Sequence, residues 1–247
     1  MSNDEFAKSC LSLPDDAPML VRKALGLPHG APLRIAYVCG PGDAVGTFEH
    51  WMRGMHDPRT PVIAYSAMFY SLVESLDARA LLLVEQDRQP NATDPRFSFV
   101  HTAHPRGRRG LDYRRDQAAF TRSVLQALSA WPADVIVVGT DAPASLVARL
   151  PRESRIVLTA HNVFWPMGAV HGVPSVVSSI VPARDLLDGA CQVFPANDVE
   201  ALTEILRSLA GDRAALRAHS EAALAHRPQF LDRSRSWGSQ LYKAILA

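Results

Sequence analysis

Cysteine is scarce in this sequence. Its three thiols, Cys10, Cys39 and Cys191, are odd in number, lie far apart and form no C-x-x-C pair. Neither a disulfide framework nor a zinc site is expected from them; free thiols of a reducing compartment are the reading that remains. Long apolar runs are missing too. No stretch approaches the roughly 18–20 residues that a membrane-spanning helix needs. The opening MSNDEFAKSC lacks the basic start and apolar run of a secretory leader. A cytoplasmic protein is expected, in which the Asn91-Ala-Thr93 sequon would go unused. Nor does one sign of charge dominate. Lys and Arg number 26 against 25 Asp and Glu, a net charge of +1, so no global field draws the chain to nucleic acid or to a membrane.

Several chemical constellations are absent as well. His50 and His56 are spaced neither as i, i+3 nor as i, i+4, and no carboxylate completes a set of metal ligands. No Ser-His-Asp arrangement can be assembled. No metal and no cofactor are expected.

What the sequence does contain is 247 residues, 47% hydrophobic and 21% charged. That is an ordinary composition for a globular protein, with enough chain for a substantial core. Residues 1–32 are mixed and punctuated by proline; they predict a short helix near Met19–Leu25 and a linker. From Leu33 the pattern sharpens. Leu33–Val38 is a β-rich run that enters a turn, Cys39-Gly-Pro-Gly-Asp43, and then a helix over about Val45–Met55. Pro61–Tyr65 reads as a strand, Met68–Ser75 as a helix, and Ala80–Glu85 and Phe97–His101 as strands. Asp112–Ser129 has Ala118, Val124, Leu125 and Leu128 at helical spacing, and Trp131-Pro132 ends it. Asp134–Val138 is almost unbroken in its apolarity, as a strand covered on both faces requires. A short helix at Ala144–Leu150 and a buried strand at Arg155–Ala160 follow.

Such alternation predicts an α/β fold with a Rossmann-like, doubly wound parallel sheet over residues 33–166. Residues 167–247 have a different character. Val173–Val177 and Gln192–Phe194 are short strand candidates, too few for a separate sheet. Pro182–Leu187 begins a helix. Asp198–Ala210, Ala214–Ala225 and about Leu231–Leu246 read as helices, the first capped by Asp198.

Two segments carry a resemblance. One is the strand Leu33–Val38 opening into Gly40-Pro-Gly-Asp-Ala-Val-Gly46-Thr47. The more specific one is Gly172-Val-Pro-Ser-Val-Val, continued by Pro182-Ala-Arg-Asp-Leu-Leu187 and by Phe194-Pro-Ala-Asn-Asp-Val-Glu-Ala-Leu202. Their order resembles that of the retaining, sugar-nucleotide-dependent GT-B glycosyltransferases, family 4-like. The last helix, with Trp237 and Tyr242, looks like the family's closing helix, which returns to the first domain. The resemblance implies an acceptor-side domain over 33–166 and a partial donor-side portion over 167–247. It implies a nucleotide-sugar donor and a glycan, lipid or small-molecule acceptor, with no metal. Trp165–His171 holds no carboxylate where the family places one, and no further strands fit between Pro166 and Gly172. Two functions are therefore carried forward: sugar transfer, and a non-catalytic binding or interaction module derived from such an enzyme.

The candidate residues sit at strand ends, where ligands of doubly wound sheets bind. Gly40, Gly42 and Gly46 follow the first strand; glycine allows close backbone approach, and the next helix would aim its N–H groups at an anion. The spacing is not the dinucleotide fingerprint, and an ordinary strand-to-helix turn is the competing reading. Asp43 and Thr47 either cap that helix or touch a ligand hydroxyl. His161 and Asn162 follow the strand at Arg155–Ala160, and the resemblance assigns His161 to orienting the acceptor. Asp141 is a site carboxylate or, more simply, part of a helix cap. Arg184 falls on the donor side by resemblance. His104, Arg106, Arg108, Arg109, Arg114 and Arg115 form a basic stretch. It reads as a solvated loop and leaves peripheral contact with anionic lipid open; without interleaved aromatics it gives no nucleic-acid signal.

Overall fold

The computed structural model describes residues 11–28, 30–60, 64–102, 110–139, 142–159, 172–181, 184–185, 187 and 189–247, without the side chains of Phe230 and Leu231. The chain divides into two units, residues up to 161 together with Ser236–Ala247, and residues 162–235.

The first unit begins with α1 (Ala17–Ala24), with Pro18 in its first turn, where a missing N–H costs nothing. β1 (Leu33–Val38) leads into α2 (Ala44–Met52) and α3 (Tyr65–Ser75). Then come β2 (Ala78–Val84), β3 (Phe97–His101), α4 (Gly110–Ala130), β4 (Val135–Gly139), the single turn α5 (Ala144–Val147) and β5 (Arg155–Thr159). The five strands form one sheet in the order β3-β2-β1-β4-β5. Every neighbouring pair is parallel, consistent with the expected Rossmann-like α/β fold. Every residue of β4 is buried, which is why its sequence reads as a continuous apolar run rather than an alternation.

Alternate residues of the strands feed two cores. Leu33, Ile35, Tyr37, Leu82, Val135 and Val137 face α1, α2 and α3. Ala36, Val38, Leu81, Leu83, Ile136 and Val138 face Phe120, Val124 and Leu128 of α4 and Leu146 of α5. The first core is rich in aromatics. Phe48 is fully buried, and the rings of Trp51, Tyr70, Phe97 and Phe99 lie 5.0–5.8 Å from its own.

The second unit contains β6 (Ser175–Ser178), β7 (Cys191–Phe194), α6 (Val199–Gly211), α7 (Arg213–Ala225), α8 (Arg227–Leu231) and a 3-10 turn at Arg233–Arg235. Its two strands pair in parallel, so the segments judged too few for a sheet do form a small one. Asp198 caps α6 by accepting from the Ala201 N–H at 2.9 Å, and Asp212 caps α7 by accepting from Ala214 at 2.8 Å and Ala215 at 3.0 Å. The cap expected at Asp198 is present.

α9 (Trp237–Leu246) returns to the first unit and packs on α1, α3 and β5. Trp237 lies 6.0 Å from Tyr37 and 5.4 Å from Tyr65, centroid to centroid. Arg155 of β5 donates to the Ile245 carbonyl at 3.0 Å.

Two element assignments are corrected. The strand expected at Pro61–Tyr65 ends in error, because Tyr65 opens α3; residues 61–63 lie outside the described residues. The helix expected over Leu231–Leu246 is broken. Asp232 is extended and its side chain accepts the Ser234 N–H at 2.9 Å, and Ser236 caps a new helix by accepting the Ser239 N–H at 3.2 Å. Local side-chain acceptors compete here with helix continuation. Among the described residues no helix is long and apolar enough to cross a membrane. Cys39 and Cys191 are free thiols, and Cys10 lies outside the described residues.

Truncating Phe48 would leave a ring-sized void among four other rings. Phe48→Ala is expected to lower stability by about 3–5 kcal/mol, read as a shift of the urea midpoint at unchanged slope. A loss under 1 kcal/mol would show that this aromatic cluster is not the anchor of the core.

Candidate functional site

Strand order reverses between β1 and β4, and the carboxyl ends of the strands at such a point are where doubly wound sheets take ligands. The loop after β1 leads there. Cys39 is buried; its N–H donates to the Leu83 carbonyl at 3.0 Å and its thiol to the Tyr37 carbonyl at 3.7 Å. Burial pushes that thiol far above its ordinary range, so it is an inert packing group rather than a nucleophile. Gly42 has φ 146°, a conformation that favours glycine, with open space where a Cβ would be. Its carbonyl accepts from the Gln86 amide at 2.5 Å.

The next residues build an ion-pair knot on the first turn of α2. Asp43 is the N-cap, with Oδ1 accepting from the Gly46 N–H at 2.8 Å. Its Oδ2 takes a short contact from Arg59 Nη1, and Arg88 Nη2 approaches Oδ1 at 3.3 Å. Arg59 also holds Asp57. Its backbone N–H, Nε and Nη2 donate to that carboxylate at 3.0, 2.9 and 2.8 Å. Thr47 points into the same buried carboxylate, its hydroxyl donating at 2.9 Å. On the outer side Arg88 Nη1 reaches Glu49 at 3.1 Å, and Asn91 donates to the same oxygen through its backbone and side-chain amides at 2.9 Å.

The electrostatics follow from these contacts. Hydrogen bonds from Arg59 hold Asp57 far below the usual carboxylate range, against the opposing effect of burial. Burial raises Asp43, but Arg59, the Gly46 N–H and the Arg88 charge together outweigh it and the net direction is down. The Asn91 N–H, then Arg88, lower Glu49. All three carboxylates are thus anionic at neutral pH. Asp43 fills the N-terminus of α2, where an external anion would otherwise bind. The guanidinium groups remain reachable from solvent, with Arg59 and Arg88 side chains 49% and 41% exposed.

The structure therefore brings Gly42, Asp43, Gly46 and Thr47 together at one strand end. Gly40 belongs to the same loop. Thr47 is committed to Asp57, and Gly46 has no room for a side chain: a Cβ there would overlap both the Arg59 guanidinium and the Asp43 carboxylate. Arg59, Arg88, Asp57, Glu49 and Gln86 are partners that sequence reasoning missed. Their only signal was position, since Gln86 and Arg88 follow the end of β2 at the same sheet edge. His161, Asn162 and Asp141 lie outside the described residues. Arg184 belongs to the second unit, where it donates to the Ser179 carbonyl at 2.5 Å and to Asp185 at 3.1 Å. Among the described residues no group of three or more His, Cys, Asp or Glu side chains is arranged to hold a metal ion. Of the basic stretch, Arg114 and Arg115 are exposed on α4, and residues 103–109 lie outside the described residues. Comparison with family models, with curated proteins and with solved structures finds no match to this chain.

Gly46→Ala is expected to cost about 1–3 kcal/mol through overpacking, visible in thermal unfolding; an unchanged midpoint would mean that the knot yields freely. The knot also sets an acid response. A folded-state carboxylate held below its ordinary value of about 3.9 means that the unfolded chain binds more protons. Its contribution is complete above that value and is lost as pH falls towards the lowered folded value. Urea midpoints should therefore drop between pH 5 and pH 3, and drop less in Asp57→Asn; equal slopes in the two proteins would contradict the assignment.

Proposed function

We propose that the chain is a Rossmann-like binding module, of the kind its resemblance to GT-B glycosyltransferases suggests. It takes a hydroxyl-rich acceptor, a glycan or other small molecule, at the carboxyl edge of its sheet, without carrying out sugar transfer by itself. One observation carries this reading. The helix N-terminus that would receive a diphosphate is filled by Asp43 and clamped by Arg59 and Arg88. With Asp57 and Glu49 the knot holds three carboxylates against two guanidinium groups, an excess of negative charge that disfavours a second anion, while Asp43 can still accept hydrogen bonds from hydroxyl groups.

Sugar transfer from a nucleotide-sugar donor is the second reading. The half-exposed Arg59 and Arg88 favour it, because fixed positive charge beside a reacting centre can stabilise a departing diphosphate. In that reading the resemblance assigns His161 to orienting the acceptor, Asp141 and Asn162 to substrate binding, and Arg184 to the donor side. A different nucleotide-binding activity on the same fold has only the Gly40–Gly46 loop behind it.

Calorimetric titration separates them. The purified protein is titrated with uncharged oligosaccharides, with nucleoside diphosphates and with sugar nucleotides. The binding-module reading expects saturable binding of an oligosaccharide, weakened about tenfold by Asp43→Asn, and no diphosphate binding. Saturable diphosphate binding that Arg88→Gln weakens would overturn it in favour of the transferase.

A further inference from the structure

A cleft of about 570 Å3 opens in the first unit at the amino-terminal edge of the sheet, the end opposite Asp43. Its reachable walls are apolar where Leu27, Pro32, Pro132 and Pro151 line it, and charged where Arg34, Asp134 and Glu153 do. The volume falls within the range of small-molecule sites.

The rim is firmly built. Asp134 accepts the Arg34 N–H through its carboxylate at 2.8 Å, and its own N–H donates to the Arg34 carbonyl at 2.9 Å. The Arg155 N–H donates to the Asp134 carbonyl at 2.8 Å, and Ser154 Oγ to the Ala133 carbonyl at 2.6 Å. The starts of β1, β4 and β5 are thereby locked to one another. Arg34 alternates with Leu33 and Ile35, which are committed to the opposite core, so Arg34 stands on the α4 side of the sheet.

Strand order then sorts the charges along this edge. Arg79 of β2 lies in register with Arg34 of β1. Asp134 precedes β4, and Glu153 precedes β5. Of the charged residues that line the cleft, Arg34 therefore stands on the β1 side and Asp134 and Glu153 on the β4 and β5 side; Arg155, which opens β5, is turned to the Ile245 carbonyl. The carboxyl end of α4, with Leu128 at the cleft, adds negative partial charge. Among the described residues neither the Arg34 guanidinium nor the Glu153 carboxylate has an ion-pair partner. The two do not neutralise each other. β1 and β5 are two strand spacings apart, roughly 10 Å.

From this we infer a second binding site, for a short apolar peptide with both termini free. Its carboxylate pairs with Arg34, its ammonium group with Glu153, and its side chains lie on Leu27, Pro32 and Pro132. An extended chain spans about 3.3–3.6 Å per residue, so two or three residues bridge the two charges. The site shares no residue with the Asp43 loop and does not rest on the function proposed for it.

The test is titration of the whole protein with Leu-Leu, N-acetyl-Leu-Leu and Leu-Leu-amide. Leu-Leu should bind saturably, and blocking either terminus should weaken binding at least tenfold. Arg34→Gln should bind Leu-Leu and its amide equally, while still rejecting the acetylated peptide. Glu153→Gln should show the converse. Such paired losses of discrimination cannot arise from a general effect on folding, which circular dichroism monitors in each variant. No saturable binding by folded wild-type protein would overturn the inference, as would blocked peptides that bind as tightly as the free one.

Discussion

β1 is the strand on which everything else is hung. It sits at the centre of the sheet, and all of Leu33–Val38 except Arg34 is buried. A strand in that position cannot leave either face to water, so helices must cover both. The chain meets this demand by moving one way from β1 through β2 to β3, and then crossing to the other side for β4 and β5. The same crossing produces the reversal in strand order and the cleft-forming divergence of loops at either end of β1. Covering the core and creating places for ligands are thus one topological act.

The two ends of β1 are treated differently. At the carboxyl end the chain neutralises its own helix terminus, because Asp43 is drawn into a network with two arginines and two further carboxylates. Each carboxylate there has hydrogen-bond donors that hold it in its charged form. At the amino end Asp134 pairs with the Arg34 backbone through its carboxylate and its own N–H, while among the described residues the Arg34 and Glu153 side chains have no ion-pair partner. A closed network lends rigidity, and unpaired charges beside an apolar wall lend affinity. The fold's usual ligand edge and the edge best furnished for a charged ligand are therefore not the same edge.

Much of this fold was legible in the sequence. β1 and β3 fall where their apolar and β-branched residues put them, and β4 announced its double burial by an unbroken run. What was not legible has physical reasons. Pro61–Tyr65 is β-rich, yet Tyr65 opens a helix whose Phe69 and Tyr70 enter the aromatic core; tertiary packing overrode local preference. The break at Ser236 was hidden in an Arg- and Ser-rich stretch that carries no strong punctuation. At the candidate site, the turn and the capping Asp43 could be read from Gly40–Thr47, whereas Arg59 and Arg88 come from separate loops and have no fixed spacing to that motif. The amino-edge cleft has residues from before β1, the end of α4 and the approach to β5, so no local pattern could reveal it.

The last helix extends this reasoning to the chain as a whole. Leu241, Tyr242 and Ile245 of α9 are buried in the same core as Val21, Phe69 and Tyr37, and the Ile245 carbonyl receives Arg155 of the edge strand. The first unit is therefore not complete when β5 ends. It needs a segment that follows the whole of the second unit in sequence, which makes that second unit an insertion between β5 and α9 rather than an appendage. A domain with its own core can ordinarily be separated at a linker. Here the cut that removes the second unit would also remove the cover over Tyr37, Tyr65 and Phe69, unless α9 were rejoined to β5. The dependence runs through packing on the sheet and holds whatever the inserted residues do.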